Sequence, residues 1–177
     1  MDPSKLLYAL DDESNESIMS LTTKKIMQLN LDILKELHLP REVTLDYLKK
    51  LKNYRYIDEL NELKHGSFIR WIPITDPNYL PLHNAAMICD IKIVDNGVLI
   101  TCKTFMHRHY TFKMDECLIF QKLTTQEQII LSALDHLDED DSKNTNSNKN
   151  TKELENDDDL DDDDLEDDDD LEDDDDK

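Results

Sequence analysis

The sequence predicts an α+β fold followed by a disordered acidic tail, because the residue pattern changes twice along the chain. Up to residue 65 the apolar residues recur at steps of three and four, which is typical of amphipathic helices. From residue 66 they alternate with polar residues, which is typical of strands that bury one face. Residues 138–177 then carry 23 Asp and Glu against four Lys, a net charge of −19. The preceding 137 residues carry a net charge of only −3 and are enough for one modest core.

The first 65 residues are predicted to form a flexible leader (residues 1–17) and a helical hairpin (residues 18–65). Four apolar residues at helical spacing define the first helix, namely Ile26, Leu29, Ile33 and Leu37. Pro40 ends this helix, and Thr44 can cap the start of the second one. Gly66 follows the second helix at the position where a left-handed cap is needed.

Five short strands are predicted after Gly66 from the alternation of apolar and polar residues. Their approximate ranges are 67–74, 86–94, 98–104, 107–114 and 117–123. Asn96-Gly97 is a strong hairpin signal between the second and third strands, because both residue types tolerate positive φ. Thr124 and Glu127 form a T-x-x-E capping box that begins a C-terminal helix.

The five strands are predicted to close into a small antiparallel barrel, since closure removes exposed sheet edges. An SH3/Tudor-like meander is favoured over a partly closed OB-like barrel, because only the loop Thr75–Ala85 is long. The folded domain would then be a small β-barrel with a C-terminal helix at residues 66–137.

The tail at residues 138–177 is predicted to be disordered, because its apolar residues are isolated leucines and its like charges oppose a helix. Three alternative roles stay open for the tail: keeping the protein soluble, binding a basic protein as a polyanion, or binding divalent cations weakly. An EF-hand is not predicted, because the sequence lacks the glycine-bearing loop with fixed ligand spacing.

Composition predicts an intracellular protein in a reducing compartment, without a membrane span. The three cysteines form no C-x-x-C pair, and the first residues do not resemble a signal peptide. No apolar run reaches the roughly 18 residues that a membrane-spanning helix needs. The sequence pattern does not indicate an oligomeric state.

The sequence predicts neither an enzyme nor a cofactor or metal site. The whole chain has two glycines, too few for a Gly-rich phosphate loop, and it contains neither G-x-S-x-G nor H-E-x-x-H. His107 and His109 would point the same way from one strand, but no third ligand stands at a recognisable spacing. The solvent face of a strand is therefore favoured over a metal site.

A basic patch with interleaved tyrosines is the first candidate for a binding surface. It is formed by Lys49, Lys50, Lys52 and Arg55 in the predicted second helix. Such a patch is suited to nucleic acid or an acidic partner, through charge and stacking. An ordinary solvated helix face is the alternative interpretation.

An aromatic groove is the second candidate. It would be lined by Arg70, Trp71, Tyr79 and Tyr110, because ligand grooves of small barrels are commonly lined by aromatic residues near loop ends. Core packing is favoured for Trp71 itself, whereas Tyr79 in the long loop is the better surface candidate.

A pattern of strands followed by a helix runs through about residues 65–137. It comprises GSFIRWIPI, MICDIKIVDNGVLITCK and HRHYTFKMDECLIFQKLTTQEQIILSALDHL. This pattern is similar to a family of nucleocytoplasmic large DNA viruses, especially the mimivirus-like giant viruses. The resemblance implies a viral protein in the host cytoplasm or in the virion, and it transfers no functional residue.

Two functional hypotheses follow from these features. The first is a non-enzymatic interaction protein of a large DNA virus, whose disordered polyanionic tail engages a basic protein. The alternative is a nucleic-acid-binding module whose acidic tail is autoinhibitory, because the tail competes with nucleic acid.

Overall fold

The structure is a computed structural model that describes residues 3–149, with side chains described up to residue 138. Residues 1–140 form one compact unit. The helices are α1 (Pro3–Leu10), α2 (Thr23–Glu36), α3 (Arg41–Lys50) and α4 (Thr125–Lys149). The strands are β1 (Tyr54–Ile57), β2 (Phe68–Pro73), β3 (Ala86–Val94), β4 (Gly97–Thr104), β5 (His109–Lys113) and β6 (Cys117–Lys122). Short 3-10 turns occupy Glu13–Ile18, Leu60–Glu62 and Met114–Glu116.

All six strands belong to one antiparallel sheet in the order β1-β6-β2-β3-β4-β5. The predicted α+β class is thus confirmed, and each of the five predicted strands is present. The five-stranded SH3/Tudor-like barrel is not confirmed, because the sheet has a sixth strand and is not closed. Its edges are β1 and β5, which do not pair with each other.

The sheet bends sharply although it stays open. The ring centroids of Trp71 in β2 and Phe112 in β5 are 5.0 Å apart. A flat sheet would separate these strands by three spacings, or about 14 Å. Two features accompany the bend: β2 and β3 share only two residue pairs, and β3 contains a bulge between Ile88 and Asp90.

The sixth strand was predicted as part of the second helix, and this prediction is wrong. Helix α3 ends at Lys50, and Tyr54–Ile57 pairs with β6 instead. On the open edge of β1, Asn30 of α2 forms hydrogen bonds with the backbone of the strand. Its side-chain nitrogen donates to the Tyr54 carbonyl (2.8 Å), and its side-chain oxygen accepts from the Tyr56 amide (3.1 Å). The aromatic and β-branched residues of this segment also favour a strand over a helix.

The helical hairpin is present but shorter than predicted, at α2 and α3. Thr22 caps α2 by accepting a hydrogen bond from the Lys25 amide. Thr44 does not cap α3: the cap position is Pro40, and the Thr44 hydroxyl donates to the Pro40 carbonyl. Gly66 has φ +79° as predicted for a left-handed residue, but it follows the 3-10 turn Leu60–Glu62 rather than a helix.

Residues 3–18 are folded, so the prediction of a flexible leader at residues 1–17 is wrong for the described part of that segment. Ala9 and Ile18 are fully buried and pack with Ile130 and Leu131 of α4. The side chain of Asn15 donates a hydrogen bond to the Ala9 carbonyl (3.0 Å). Apolar contact with a helix more than 100 residues later stabilises this segment, and that contact has no local signal in the sequence.

Two local predictions about turns and caps are confirmed. The capping box begins α4, because the Glu127 carboxylate accepts from the Thr124 amide (2.7 Å) and the Thr124 hydroxyl accepts from the Glu127 amide (3.1 Å). The β3–β4 hairpin is present, with Gly97 at φ +127°. Its two loop residues are Asp95 and Asn96, one position earlier than predicted, because Gly97 already pairs with Val94.

Helix α4 extends to Lys149 and so enters the segment that was predicted to be disordered. Residues 125–149 contain no proline or glycine, and adding a residue to an existing helix is easier than starting a new one. The rest of the predicted tail, residues 150–177, lies outside the described residues.

Candidate functional site

The predicted basic patch is divided between the surface and the core. Lys49 and Lys50 lie in the last turn of α3, and Lys52 is exposed in the turn that follows. The Lys50 ammonium pairs with Asp46 at 2.7 Å. Arg55 is only 3% exposed, so its placement in a surface patch is wrong. Three exposed lysines therefore remain, without the arginine.

Arg55 belongs to a buried charge cluster instead. Its guanidinium donates to Glu62 (2.6 Å) and to the Ser17 hydroxyl (3.2 Å). Its Nε lies 3.9 Å from Glu127, a fully buried carboxylate that also pairs with Lys64 at 2.9 Å. Two bases and two acids thus balance each other where β1, α4 and the turn Leu60–Glu62 meet. Such a cluster needs all its partners, because an unpaired buried charge is costly.

The predicted aromatic groove is brought together only in part. Trp71 and Tyr110 meet with centroids 5.9 Å apart. Tyr79 is exposed in the long loop and makes no ring contact in the described part of the chain. Arg70 lies on the opposite face of the sheet, where its guanidinium is 5.7 Å from the ring centroid of Tyr54.

Two aromatic residues that were not predicted as part of a groove cover the indole of Trp71. The ring of His83 stacks on it at 4.7 Å with an interplanar angle of 1°, and Phe112 stacks on it at 5.0 Å and 18°. Burial lowers the pKa of His83 below its usual value, which favours the neutral imidazole in this stack. Trp71 is 3% exposed, so these rings form a closed stack rather than an open slot for a ligand.

The two candidate histidines do not share a strand. His107 lies in the turn before β5 with φ +60°, and His109 is the first residue of β5. Both are exposed. Within residues 3–138 no group of three His, Cys, Asp or Glu side chains is placed to hold a metal ion.

Two of the three free cysteines, Cys102 and Cys117, are thiols of low reactivity. Cys102 is buried, and burial raises the pKa of its thiol to about 11. Burial likewise raises the pKa of Cys117 to about 12. Both groups are therefore protonated at neutral pH, and the thiolate is the nucleophilic form.

A surface that the sequence did not indicate lies on the outer side of the bent sheet, opposite Trp71. The strand register aligns five side chains on this side, from β6 to β5: Lys122, Phe68, Met87, Lys103 and His109. We call these five residues the outer-face row. They are separated by up to 54 positions in sequence, so only the register brings them together.

No protein-family model, curated protein or solved structure matches this chain. The resemblance to giant-virus proteins therefore stays a prediction. In the described residues no helix is both long and apolar enough to cross a membrane.

Proposed function

We propose that this chain is a non-enzymatic interaction protein whose acidic tail binds a basic protein partner. The observation that carries the proposal is the division of charge, with a net −19 in residues 138–177 and −3 in the other 137 residues. A dense run of carboxylates attracts a basic surface over a long range and raises its rate of association.

A variant of the full chain with an uncharged tail tests this proposal. In this tail-neutral variant all 17 Asp and Glu between residues 157 and 176 are changed to Asn and Gln, so the length is unchanged. Affinity purification with mass spectrometry is then performed with both proteins. We expect the full chain to recover proteins rich in Lys and Arg and the tail-neutral variant to lose them. Equal recovery of basic proteins by both would refute the proposed role of the tail.

We also propose that the protein comes from a large DNA virus and acts in the host cytoplasm or the virion. The support is the resemblance of residues 65–137, carried by GSFIRWIPI and the later strands. Proteomics of purified giant-virus particles and of infected cells tests the origin. Peptides of this chain in cells before infection would contradict it.

The second candidate function is a nucleic-acid-binding module that the acidic tail restrains. The specific observation in its favour is the outer-face row, where two lysines flank two apolar side chains on one side of the sheet. The tail is a polyanion and would compete with nucleic acid for such a surface. We therefore expect the tail-neutral variant to bind nucleic acid more tightly than the full chain, with affinity that falls as salt rises.

The order of β2–β6 supports a further proposal about the fold. These strands follow the order β6-β2-β3-β4-β5, and a 3-10 turn at Met114–Glu116 leads from β5 into β6. We propose that this part of the sheet is an open relative of SH3-like meanders, extended by β1. A structural relationship of this kind carries no function by itself.

A further inference from the structure

We propose that the outer-face row, together with the adjoining turn Phe105–Arg108, is a binding site for single-stranded nucleic acid. Lys103 and Lys122 would contact phosphates, and the ring of Phe105 would stack on a base. The proposal rests on the second candidate function and names its site, which differs from the patch that the sequence predicted at residues 49–55.

The register of the sheet places two apolar side chains, Phe68 and Met87, between Lys122 and Lys103. Phe68 pairs with Met87, Met87 pairs with Lys103, and Lys103 pairs with His109. On the other side of Phe68, the Lys122 ammonium lies 5.9 Å from its ring centroid. Lys122 and Lys103 are three strand spacings apart, or about 14 Å along the sheet. The row is therefore a path along which more than one phosphate can lie.

The cations of this site have no acidic partners among the described residues, unlike other lysines on the same side of the sheet. Lys92 pairs with Asp90 at 3.0 Å, and Lys113 pairs with Glu116 at 3.3 Å. Lys103, Lys122 and Arg108 make no such ion pair within residues 3–138. Their charge is available to neutralise phosphates, and the release of counterions from a nucleic acid would then favour binding.

The apolar part of the site is exposed at the tip of the turn between β4 and β5. Phe105 is 77% exposed and Met106 is 81% exposed. Phe105 stacks on Phe68 at 5.6 Å with an interplanar angle of 15°, so one side of its ring is supported by the protein. Because most of the Phe105 side chain is open to solvent, it can accept a base.

The turn that presents Phe105 is held by its own hydrogen bonds. The Thr104 amide donates to the Arg108 carbonyl (2.9 Å), and the His107 amide donates to the Thr104 carbonyl (2.9 Å). His107 adopts φ +60°, a left-handed conformation that the tight turn requires. The ring is therefore positioned before a ligand binds, which lowers the entropic cost of binding.

The combination of features selects single strands over other polyanions. A duplex buries its base faces in its own stack and would use only the lysines. An acidic peptide would also use the lysines, but it offers few flat rings for Phe105. A single strand uses both, because it offers phosphates to the lysines and an unstacked base to the ring of Phe105.

The test measures fluorescence anisotropy of labelled oligo(U), oligo(dT), a DNA duplex and poly-glutamate. The proteins are the full chain and its tail-neutral variant, each with three sets of substitutions. Lys103→Gln with Lys122→Gln removes the two cations, and Phe105→Leu keeps an apolar side chain but removes the ring. Lys92→Gln is the matched control, since this lysine lies on the same side of the sheet but is paired with Asp90.

We expect the tail-neutral protein to bind an oligonucleotide, with the ratio of oligo(U) to oligo(dT) affinity showing whether RNA or DNA is preferred. Phe105→Leu should weaken binding about 5- to 150-fold, which is the loss of affinity expected when the stacking free energy of one base on an aromatic ring is removed. The double lysine substitution should reduce the slope of log affinity against log salt by about 1.4, or 0.7 for each lost phosphate contact. Lys92→Gln should change neither quantity.

Distinct results would overturn this site and the function on which it rests. Oligonucleotide binding that the row variants do not weaken would exclude this site but keep nucleic-acid binding. No oligonucleotide binding by either the full chain or the tail-neutral protein would exclude both. Equal affinity for the duplex or for poly-glutamate would show that only charge is recognised and would refute the single-strand proposal.

Discussion

The substitution Glu127→Gln is expected to destabilise the fold strongly, because it leaves buried positive charge without its partner. The Glu127 carboxylate is fully buried and lies 2.9 Å from the Lys64 ammonium and 3.9 Å from Arg55 Nε. A glutamine oxygen can still accept the Thr124 amide of the capping box, so the substitution removes mainly charge. The cluster would then hold two bases against the single carboxylate of Glu62.

The expected loss in the free energy of unfolding is about 3–5 kcal/mol, the cost of breaking a buried ion pair by removing one partner. Glu42→Gln provides a matched control, because Glu42 also lies in the first turn of a helix, α3, but is exposed. Removing the charge of Glu42 should lower the free energy of unfolding by no more than about 1 kcal/mol, the usual contribution of a charge near a helix N-terminus. Both values are measured by chemical denaturation followed by circular dichroism.

A second substitution separates the uncompensated charge from a loss of packing. Adding Lys64→Gln to Glu127→Gln removes the base that lost its ion-pair partner and leaves Arg55 balanced by Glu62, so it should recover part of the lost stability, which a double-mutant cycle measures. If Glu127→Gln destabilises the protein no more than Glu42→Gln does, the buried cluster contributes little. The structural account of Arg55 would then be wrong.

Two further substitutions test the edge of the sheet and the aromatic stack. Asn30→Ala leaves the Tyr54 carbonyl and the Tyr56 amide unpaired, which should cost about 2–4 kcal/mol and speed hydrogen exchange at Tyr56; unchanged exchange would refute this edge contact. Because burial lowers the pKa of His83, the folded state favours its neutral form. The contribution of neutral His83 to stability is therefore fully present above about pH 6.5, the pKa of histidine in the unfolded chain. It is lost as pH falls through the lower pKa that His83 has in the folded protein. His83→Gln should make the unfolding free energy less dependent on pH in this acidic range, and an identical pH dependence in both proteins would contradict the assignment.

Strands β2–β6 were predictable because each of them shows the alternation of apolar and polar residues within its own segment. In β4, for example, Ile100 and Cys102 are buried and face one side, as their spacing indicates. The capping box of α4 also depends on residues only three positions apart. In contrast, β1 spans four residues inside an apparent helical pattern, and it is completed by Asn30, 24 positions before Tyr54. Local pattern could not reveal that partner.

The candidate sites depended even more on contacts between distant residues. Arg55 looked like a surface base among lysines, but its partner Glu127 follows 72 positions later. His83, in the long loop, was not recognised as the residue that covers Trp71. The outer-face row requires the registers of four strand pairs, which no single segment of sequence encodes. The sequence therefore predicted the elements well, and the surfaces that they form only in part.

The most direct test of the tail's role is the rate at which a recovered basic partner associates with the protein. Stopped-flow fluorescence would measure the association rate constant for the full chain and the tail-neutral variant at low and high salt. We predict that the full chain associates about 10- to 1000-fold faster at low salt and that this advantage falls steeply as ionic strength rises. Equal rate constants for the two proteins at low salt would contradict the claim that the acidic tail recruits a basic partner.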